Sequence, residues 1–582
     1  MPTAERIIPT IQNPDLVTIT ILVDGNEVSK QYHVVSVSIR SAINKIPGAT
    51  LSIVDGEPNQ EDFSISDNGD FLPGKKIEIQ FGYHSEQSTV FKGVIVSNTH
   101  NIDSNGAELK IECRDETVKM TVNKSNRHLN DVTDSDVINQ LLSDNNITGA
   151  DIEDSTNKHE QLLQSNVSDW DFMVSRADVS GMICVITNGV LSVRKPKLDD
   201  DVKLQLLYGA DILEFHADMD ARTQTDSVKA MNWDAENQEV VTTESEDSNA
   251  PEEGEFTRTD LAAVTDQPME MRSAATFTKE EAQSIANAKK LRQDLSKIKA
   301  RVKYQGTVIA QPGDFVTVDG VGKNFNGKAF VTGVQHEYAD GDWTTEATLG
   351  WNEQFFAEET NPTQAASATG QFSSMHGLQI GIVTSIEDAN GQYRVKIRLP
   401  MVNSQDDGIY ARVSTLDAGD GRGTFFRPEV SDEVLVGFIN DDPKNPVILG
   451  MLHSSAKPAP LEPEDSNPEK GYVSRSKIKL IFNDDKKSVH IETPGGRVFE
   501  MNDEEGSIKL NDADGNKIVM DSSGVTVEAN TSLTLKAGST LSVEAPQISI
   551  KADTNLSMEG SGGTSVNSSG VTEIKGSLVK IN

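Results

Sequence analysis

VTVEANTSLTLKAGSTLSVEAPQISIKADTNLSMEGSGGTSV, residues 525–566, is a run of apolar pairs of the form Φ-x-Φ set among turn-forming residues. The pairs are Val525/Val527, Leu533/Leu535, Leu541/Val543, Ile548/Ile550 and Leu556/Met558, with Thr564/Val566 a looser sixth, at steps of 8, 8, 7, 8 and 8 residues. Between them lie Gly, Asn, Ser, Asp and Pro, the residues that favour turns. Eight residues with two apolar positions on one side make a short strand and a corner. Such a rung cannot bury its own apolar face and is stable only when stacked, and a period this short marks a β-helix. Two inward residues per rung are too few to fill a β-helix built from one chain. Several chains wrapped together are expected, each supplying one wall of a prism, with threefold symmetry the simplest closed choice. Closure also leaves no lateral sheet edge. Upstream, Ile478/Leu480, Val489/Ile491, Ile508/Leu510 and Ile518/Met520 continue the pattern, with longer turns at Asp484-Asp485, Gly495-Gly496 and Asp514-Gly515. At roughly 5 Å per strand, about ten rungs over 476–582 predict a stiff rod on the order of 50 Å long.

Moving towards the N-terminus, Lys457 to Pro468 (KPAPLEPEDSNP) reads as a proline-rich spacer, taken as 456–475. Before it, Tyr393, Val395, Ile397 and Leu399 alternate with Arg394, Lys396 and Arg398, a half-buried strand. With Val434–Ile439 and Val447–Leu452 it predicts a compact all-β unit at 376–455. Residues 357–375 are small and polar, a linker by composition.

Residues 1–125 read as closely spaced strands of a barrel, among them Leu16–Val23 ending at the turn signal Asp24-Gly25. In 126–260 two short helices are expected, Asp134–Leu142 and residues 169–178. The acidic stretch 243–255 (TESEDSNAPEEGE) reads as a solvated loop. Residues 261–356 predict a second barrel with a helix over 278–300. That helix is opened by a Thr278/Glu281 capping box and striped by Ile285, Ala288, Leu291, Leu295 and Ile298. The fold class is therefore mainly β.

The 582 residues carry 53 Lys+Arg against 90 Asp+Glu, a net charge of −37. A field of that sign argues against nucleic acid as a partner and against resting contact with anionic membranes. Two cysteines, Cys113 and Cys184, make no disulfide framework. The N-terminus has no basic start followed by an apolar run, so synthesis and assembly in the cytoplasm are expected. No stretch reaches the ~20 apolar residues of a membrane span.

Motifs for chemistry fail one by one. Gly322–Lys328 (GKNFNGK) spells a phosphate loop, but Ala329 stands where a hydroxyl belongs and strand-like sequence follows, so a hairpin is expected. Asn511–Gly515 (NDADG) hints at a calcium loop, yet the first ligand position would be Leu510, and a D-G turn explains it. His159-Glu160 and His336-Glu337 lack the second histidine of a zinc pair. No catalytic, cofactor or metal site is expected.

Residues 423–453, GTFFRPEVSDEVLVGFINDDPKNPVILGMLH, closely resemble the OB-fold segment of VgrG-type spike proteins. The matching positions are Phe426, Pro428, Val430, Asp432 to Val436, Asp442, Pro443, Pro446 and Gly450. Gly381–Val383 and Tyr393–Pro400 look like that family's opening strands. Lys477–Asp485 and Gly496–Glu500 resemble the start of its β-helix, and 305–350 the last barrel of a phage-type baseplate hub. The resemblance implies a hub of β-barrels with small helical insertions, an OB-fold collar and a trimeric β-helix needle. It implies a homotrimer at the tip of a contractile injection machine, either a type VI system or an extracellular phage-tail-like particle. It also implies a hexameric inner-tube partner, baseplate proteins, effector cargo and a PAAR-type tip cap, with Val579, Lys580, Ile581 and Asn582 as the expected cap contact. The target membrane enters only during puncture. Only about 20 residues separate OB fold and needle, too few for the lysozyme some relatives insert, and the chain ends in rung-like sequence. A non-enzymatic, mechanical role is expected. The alternatives are a cell-envelope hydrolase with its site in 130–260, and a receptor-binding tail fibre.

Overall fold

The computed structural model describes residues 16–581 apart from 58, 60, 85, 105, 148, 149, 235, 236, 238, 274–276 and 361–374. Most of the linker expected at 357–375 lies outside the described residues. The chain divides into two compact units, Met1–His376 with Phe438–Asn445, and Gly377–Gly437 with Pro446–Asn582.

In the first unit Val17–Val23 turns through Asp24 and Gly25, both at positive φ (49° and 81°), and Val23 pairs with Asn26. Two left-handed residues give the turn whose twist matches the strands it joins. From there the strands 76–83, 86–103, 106–114, 48–54 and 34–42 follow as neighbours in one antiparallel sheet. That sheet does not stop at the boundary drawn between two barrels. Val34–Ala42 pairs with Gly327–Ala339, which continues through Asp342–Leu349 and Ile298–Gln305 to Ile212–Met219. Segments some 290 residues apart in sequence thus share one thirteen-stranded sheet. Val37, Leu51, Ile79, Phe81 and Ile111 fill one core, and Val302, Tyr304, Val316, Val331 and Ala347 another.

The helices Asp134–Asp144 and Asp169–Val179 are where the periodicity puts them. Thr133 and Asp136 exchange capping bonds, and Val137, Ile138, Leu141 and Leu142 pack with Trp170, Met173 and Val174. The third helix, Lys279–Leu295, opens on the expected capping box but ends short of 300. Ser296 bonds back to the Gln293 carbonyl at 2.8 Å, and Ile298 begins a strand whose apolar residues alternate. The buried face also differs from the expected stripe. It keeps Ala288 and Leu295 but also takes in Ala282, Ala286 and the polar run Lys289, Lys290, Arg292, Gln293 and Asp294. Each of these charges is matched: Arg292 to Asp178, Lys290 to Asp294 at 2.6 Å, Lys289 to Glu358 at 2.8 Å. Buried charge is tolerable only when paired.

The acidic stretch 243–255 is a loop from Ser245 on, with Glu246, Asp247 and Glu255 exposed, but it is strapped to the fold instead of free in solvent. Thr243 and Glu244 complete the strand Glu239–Glu244, and Ala250 is buried. Lys297 donates to Glu252 Oε2 at 2.8 Å and to the Glu253 carbonyl at 2.5 Å, and Ser248 donates to Asp294 at 2.5 Å. Gly254 N then bonds the Asn326 carbonyl at 2.8 Å. Acidic composition reads as solvated because Lys297, the cation that straps Glu252 and Glu253, lies some 45 residues away in sequence.

The second unit opens with a closed five-stranded barrel of Gln379–Ser385, Val395–Arg398, Ile409–Val413, Pro446–Met451 and Glu433–Phe438. Val383, Val395, Ile397, Ala411, Val434, Val436 and Ile448 form its core. Tyr393 does not join the alternation; it precedes the strand at φ 56° and is 75% exposed. The spacer ends sooner than 475, because Glu469–Val473 pairs with Lys479–Asn483. Seven strands from Glu469 to Glu528 then form one antiparallel meander, each hydrogen-bonded to the next. Here the upstream apolar pairs sit in hairpins instead of rungs. Their loops close tightly, with Thr493 N on the Arg497 carbonyl at 3.0 Å and Asp512 N on the Asn516 carbonyl at 3.1 Å, so the chain reverses instead of turning a corner.

Candidate functional site

Residues directly opposite in an antiparallel pair point to the same face, as do residues i and i+2 of one strand. The register of the meander therefore sorts its side chains. Tyr472 faces Leu480, Leu480 faces Ile491, then Phe499, Leu510, Ile518 and Val527 in turn. Phe482, Val489, Met501, Ile508, Met520 and Val525 form a second row on the same face. One side of the sheet is thus lined by apolar residues from Leu480 to Val527, with Lys470, opposite Phe482, beside Tyr472 on its first strand. Phe482, Met501, Leu510, Met520 and Val525 on it are 39% to 68% exposed.

The opposite side carries Ile481, Val498 and Val519 but is mostly polar and internally paired. Lys479 meets Glu492 at 2.8 Å and Lys517 meets Glu528 at 2.7 Å, and the Lys479 ammonium holds the Glu492 carboxyl below the usual range. His490 lies between Glu492 and Glu500. These exposed pairs do little for stability and mark the wet side.

Beyond Glu528 the apolar pairs continue without a sheet. Among the described residues none from 529 to 581 is in a strand. Leu533, Leu535, Leu541, Val543, Ile548, Ile550, Leu556 and Met558 are 51% to 68% exposed. A contiguous apolar surface of this extent marks an interaction site. Covering it is worth about 1–2 kcal/mol for each half-exposed side chain.

The pairs Val489/Ile491, Ile508/Leu510, Ile518/Met520 and Val525/Val527, expected from the sequence, share this face. Ile478 precedes its strand, Lys479–Asn483, and has no place in this register. Phe499/Met501 and Leu480/Phe482 were not among the expected pairs, although their Φ-x-Φ spacing is the same signal. Val579 is half-exposed and Ile581 exposed; Asn582 lies outside the described residues.

The chemical motifs stay apart from one another. Gly322–Lys328 lies on the hairpin between Phe315–Asp319 and Gly327–Ala339, and no helix follows to hold a phosphate. Asp512 accepts from Asp514 N and Asn516 N at 2.9 Å, so the NDADG carboxylate closes its own turn. His159 is buried between Glu281 at 2.8 Å and Asp134 at 3.2 Å, with Arg176 at 2.9 Å, a compensated charge cluster. His336 bonds Thr345 at 2.9 Å, and burial pushes it down to about 4. Among the described residues no three His, Cys, Asp or Glu group to hold a metal. No helix among them is long and apolar enough to cross a membrane.

Comparison with known proteins gives three family matches. Residues 13–340 match the Alg8 N-terminal domain. Residues 379–453 match the type VI secretion system/phage-baseplate injector OB domain, and residues 488–582 the phage baseplate V C-terminal trimerisation domain. The chain is 35% identical over 77 residues to the type VI secretion system spike protein VgrG4b of Pseudomonas aeruginosa. That match spans 13% of this chain and 10% of the relative. A tail protein from Neisseria meningitidis is similar at 15% identity and TM-score 0.43, over 58% of this chain and 97% of its own. An Escherichia coli component of the type VI secretion system is similar at 12% identity and TM-score 0.38, over 74% of this chain and 99% of its own.

Proposed function

Since this chain belongs to the VgrG family of spike proteins, with an N-terminal part of the Alg8 N-terminal domain family, we propose that it is the hub and spike at the tip of a contractile injection machine. The observation that carries this reading is the uncovered apolar face from Tyr472 to Val527 and its continuation through Met558. Three copies around an axis would turn these faces inward to one shared core and leave the polar side wet. The 529–581 segments would pair with one another as stacked rungs, which satisfies their backbone groups and makes a stiff rod.

The role is mechanical. Contraction drives an inner tube against the hub, and a narrow rod concentrates that load on a target membrane. The hub is read as the adaptor between a hexameric tube and a threefold spike, set among baseplate proteins, with effectors carried on the assembly. Val579, Lys580, Ile581 and Asn582 would meet a PAAR-type cap. If deleting those four residues leaves cap capture in a pull-down unchanged, that contact is elsewhere.

The test of the whole reading is native mass by light scattering, beside a variant truncated after Ser454. Full-length protein should weigh about 190 kDa, three copies of 63.2 kDa, and should resist dissociation by SDS until truncated. A 63.2 kDa particle at micromolar concentration would sink it.

A further inference from the structure

The five-stranded barrel carries an arm that its own core does not use. Between Ile409–Val413 and Glu433–Phe438 the chain turns through a short hairpin, in which Ala418 pairs with Gly423 and Gly419 with Arg422. The hairpin holds its own shape. Thr424 N donates to the Asp417 carbonyl at 2.9 Å, Thr415 Oγ1 to the Thr424 carbonyl at 3.1 Å, and Arg422 to Asp417 Oδ1 at 2.6 Å. Gly423 sits at φ 131°, and a β-carbon there would lie 2.4 Å from the Asp417 carbonyl oxygen, so glycine alone closes it. Yet Leu416 is 96% exposed and Phe425 76%. Two large apolar side chains displayed on a stiff hairpin are placed for a surface other than their own barrel.

Phe426 gives the direction. Its ring lies 4.9 Å from that of Tyr472, and Tyr472 is paired with Leu480 at the first step of the apolar face. Arm and face therefore meet at this ring contact, upstream of the matched trimerisation domain, which begins at 488.

We propose that residues 414–428 are a clasp for a second copy of this chain, with Leu416 and Phe425 of one copy covering the Tyr472–Leu480 end of its neighbour's face. The inference rests on the trimeric reading above and adds a contact between copies outside the rod. In a closed threefold ring each copy gives one arm and receives one, so the contact is head-to-tail and made three times. A second copy is the occupant because the arm extends a face whose remainder is read as closing on identical faces.

The experiment places a photo-reactive benzoylphenylalanine at position 416 or 425 of the full-length protein. The native mass is measured, and the sample is then illuminated at dilute concentration. The expected result is a trimer that yields covalent dimers and trimers, with crosslinked peptides mapping to 469–483 of another copy. A trimer whose crosslinks fall only within one chain, or form nowhere, overturns the clasp while leaving the trimer standing. A monomer overturns the trimeric reading itself and the clasp with it. As a second readout, Leu416→Ser with Phe425→Ser should keep the trimeric mass but lower its dissociation temperature by about 5 °C or more. Both side chains are exposed and outside the barrel core, so the barrel itself folds. An unchanged dissociation temperature also counts against the clasp.

Discussion

Arg292 is a charge held almost entirely out of water, on the helix Lys279–Leu295. It touches Asp178, donates to the carbonyls of Asn352 at 2.9 Å and Gln354 at 2.6 Å, and lies 4.1 Å over the Trp351 ring. Removing it leaves the buried Asp178 carboxylate without its counter-charge, held by the Phe356 N–H at 2.7 Å. Arg292→Ala should destabilise the hub by about 3–5 kcal/mol, and Arg292→Lys should rescue little, because an ammonium cannot fork between the carbonyls and stack. All four tryptophans (170, 233, 343 and 351) lie in the first unit, so urea unfolding followed by tryptophan fluorescence reads the hub alone. The same measurement checks His336. Burial lowers its pKa to about 4 from 6.5, so it is neutral in the fold while the unfolded chain takes up its proton first. Its stabilising contribution is whole above pH 6.5 and is lost as pH falls towards 4, about 3 kcal/mol in all. His336→Gln should therefore lose less stability than the native protein between pH 7.5 and 4.5, and equal losses would refute the assignment.

At the scale of the element, the meander is an antiparallel sheet with one apolar and one paired polar face. Neighbouring positions on one strand should then behave oppositely. Leu510→Asp puts a charge into the apolar face and should cut the native mass from trimer to monomer. Lys509→Ala, next along the same strand, removes only an exposed contact with Glu505 and should leave the mass unchanged. Light scattering on the two purified variants decides it. The pattern of the apolar face was legible because strand alternation is local: Ile508/Leu510 and Ile518/Met520 carry it in their spacing. What escaped was whether each intervening turn reverses the chain or makes a corner, since both use Gly, Asp and Asn. The helix 279–295 shows the converse, with its capping box read correctly and its buried face only in part: Ala288 and Leu295 are buried as expected, beside a charged run that was not. A stripe drawn on hydrophobicity cannot anticipate that Lys289, Lys290 and Arg292 find partners at Glu358, Asp294 and Asp178.

For the whole molecule, each copy brings a net charge of −37 to any assembly. Like charge opposes association, while burial of the apolar faces drives it and is not screened. Added salt, which shortens the Debye length from ~10 Å at 0.1 M, should raise the temperature at which the trimer dissociates. An assembly held by ion pairs between copies would respond the other way. Heating at 0.05 and 0.5 M salt with light-scattering detection separates the two.

The amino-acid sequence by itself determined the repeat of apolar pairs, the strand-rich hub, a compact all-β unit at 376–455 and the capped starts of the helices. Each of these is encoded within one or two turns of chain, in alternation, cap residues and turn chemistry. Only the tertiary structure decided that Val34–Ala42 and Gly327–Ala339 share a sheet, that the acidic stretch is strapped down by Lys297, and that Arg292 is buried against Asp178. It also decided that thirteen apolar side chains of the meander fall on one uncovered face. The division has one physical cause: alternation and capping are paid for by neighbours in sequence, whereas a buried charge or a shared sheet edge depends on a partner that only the folded chain brings within reach.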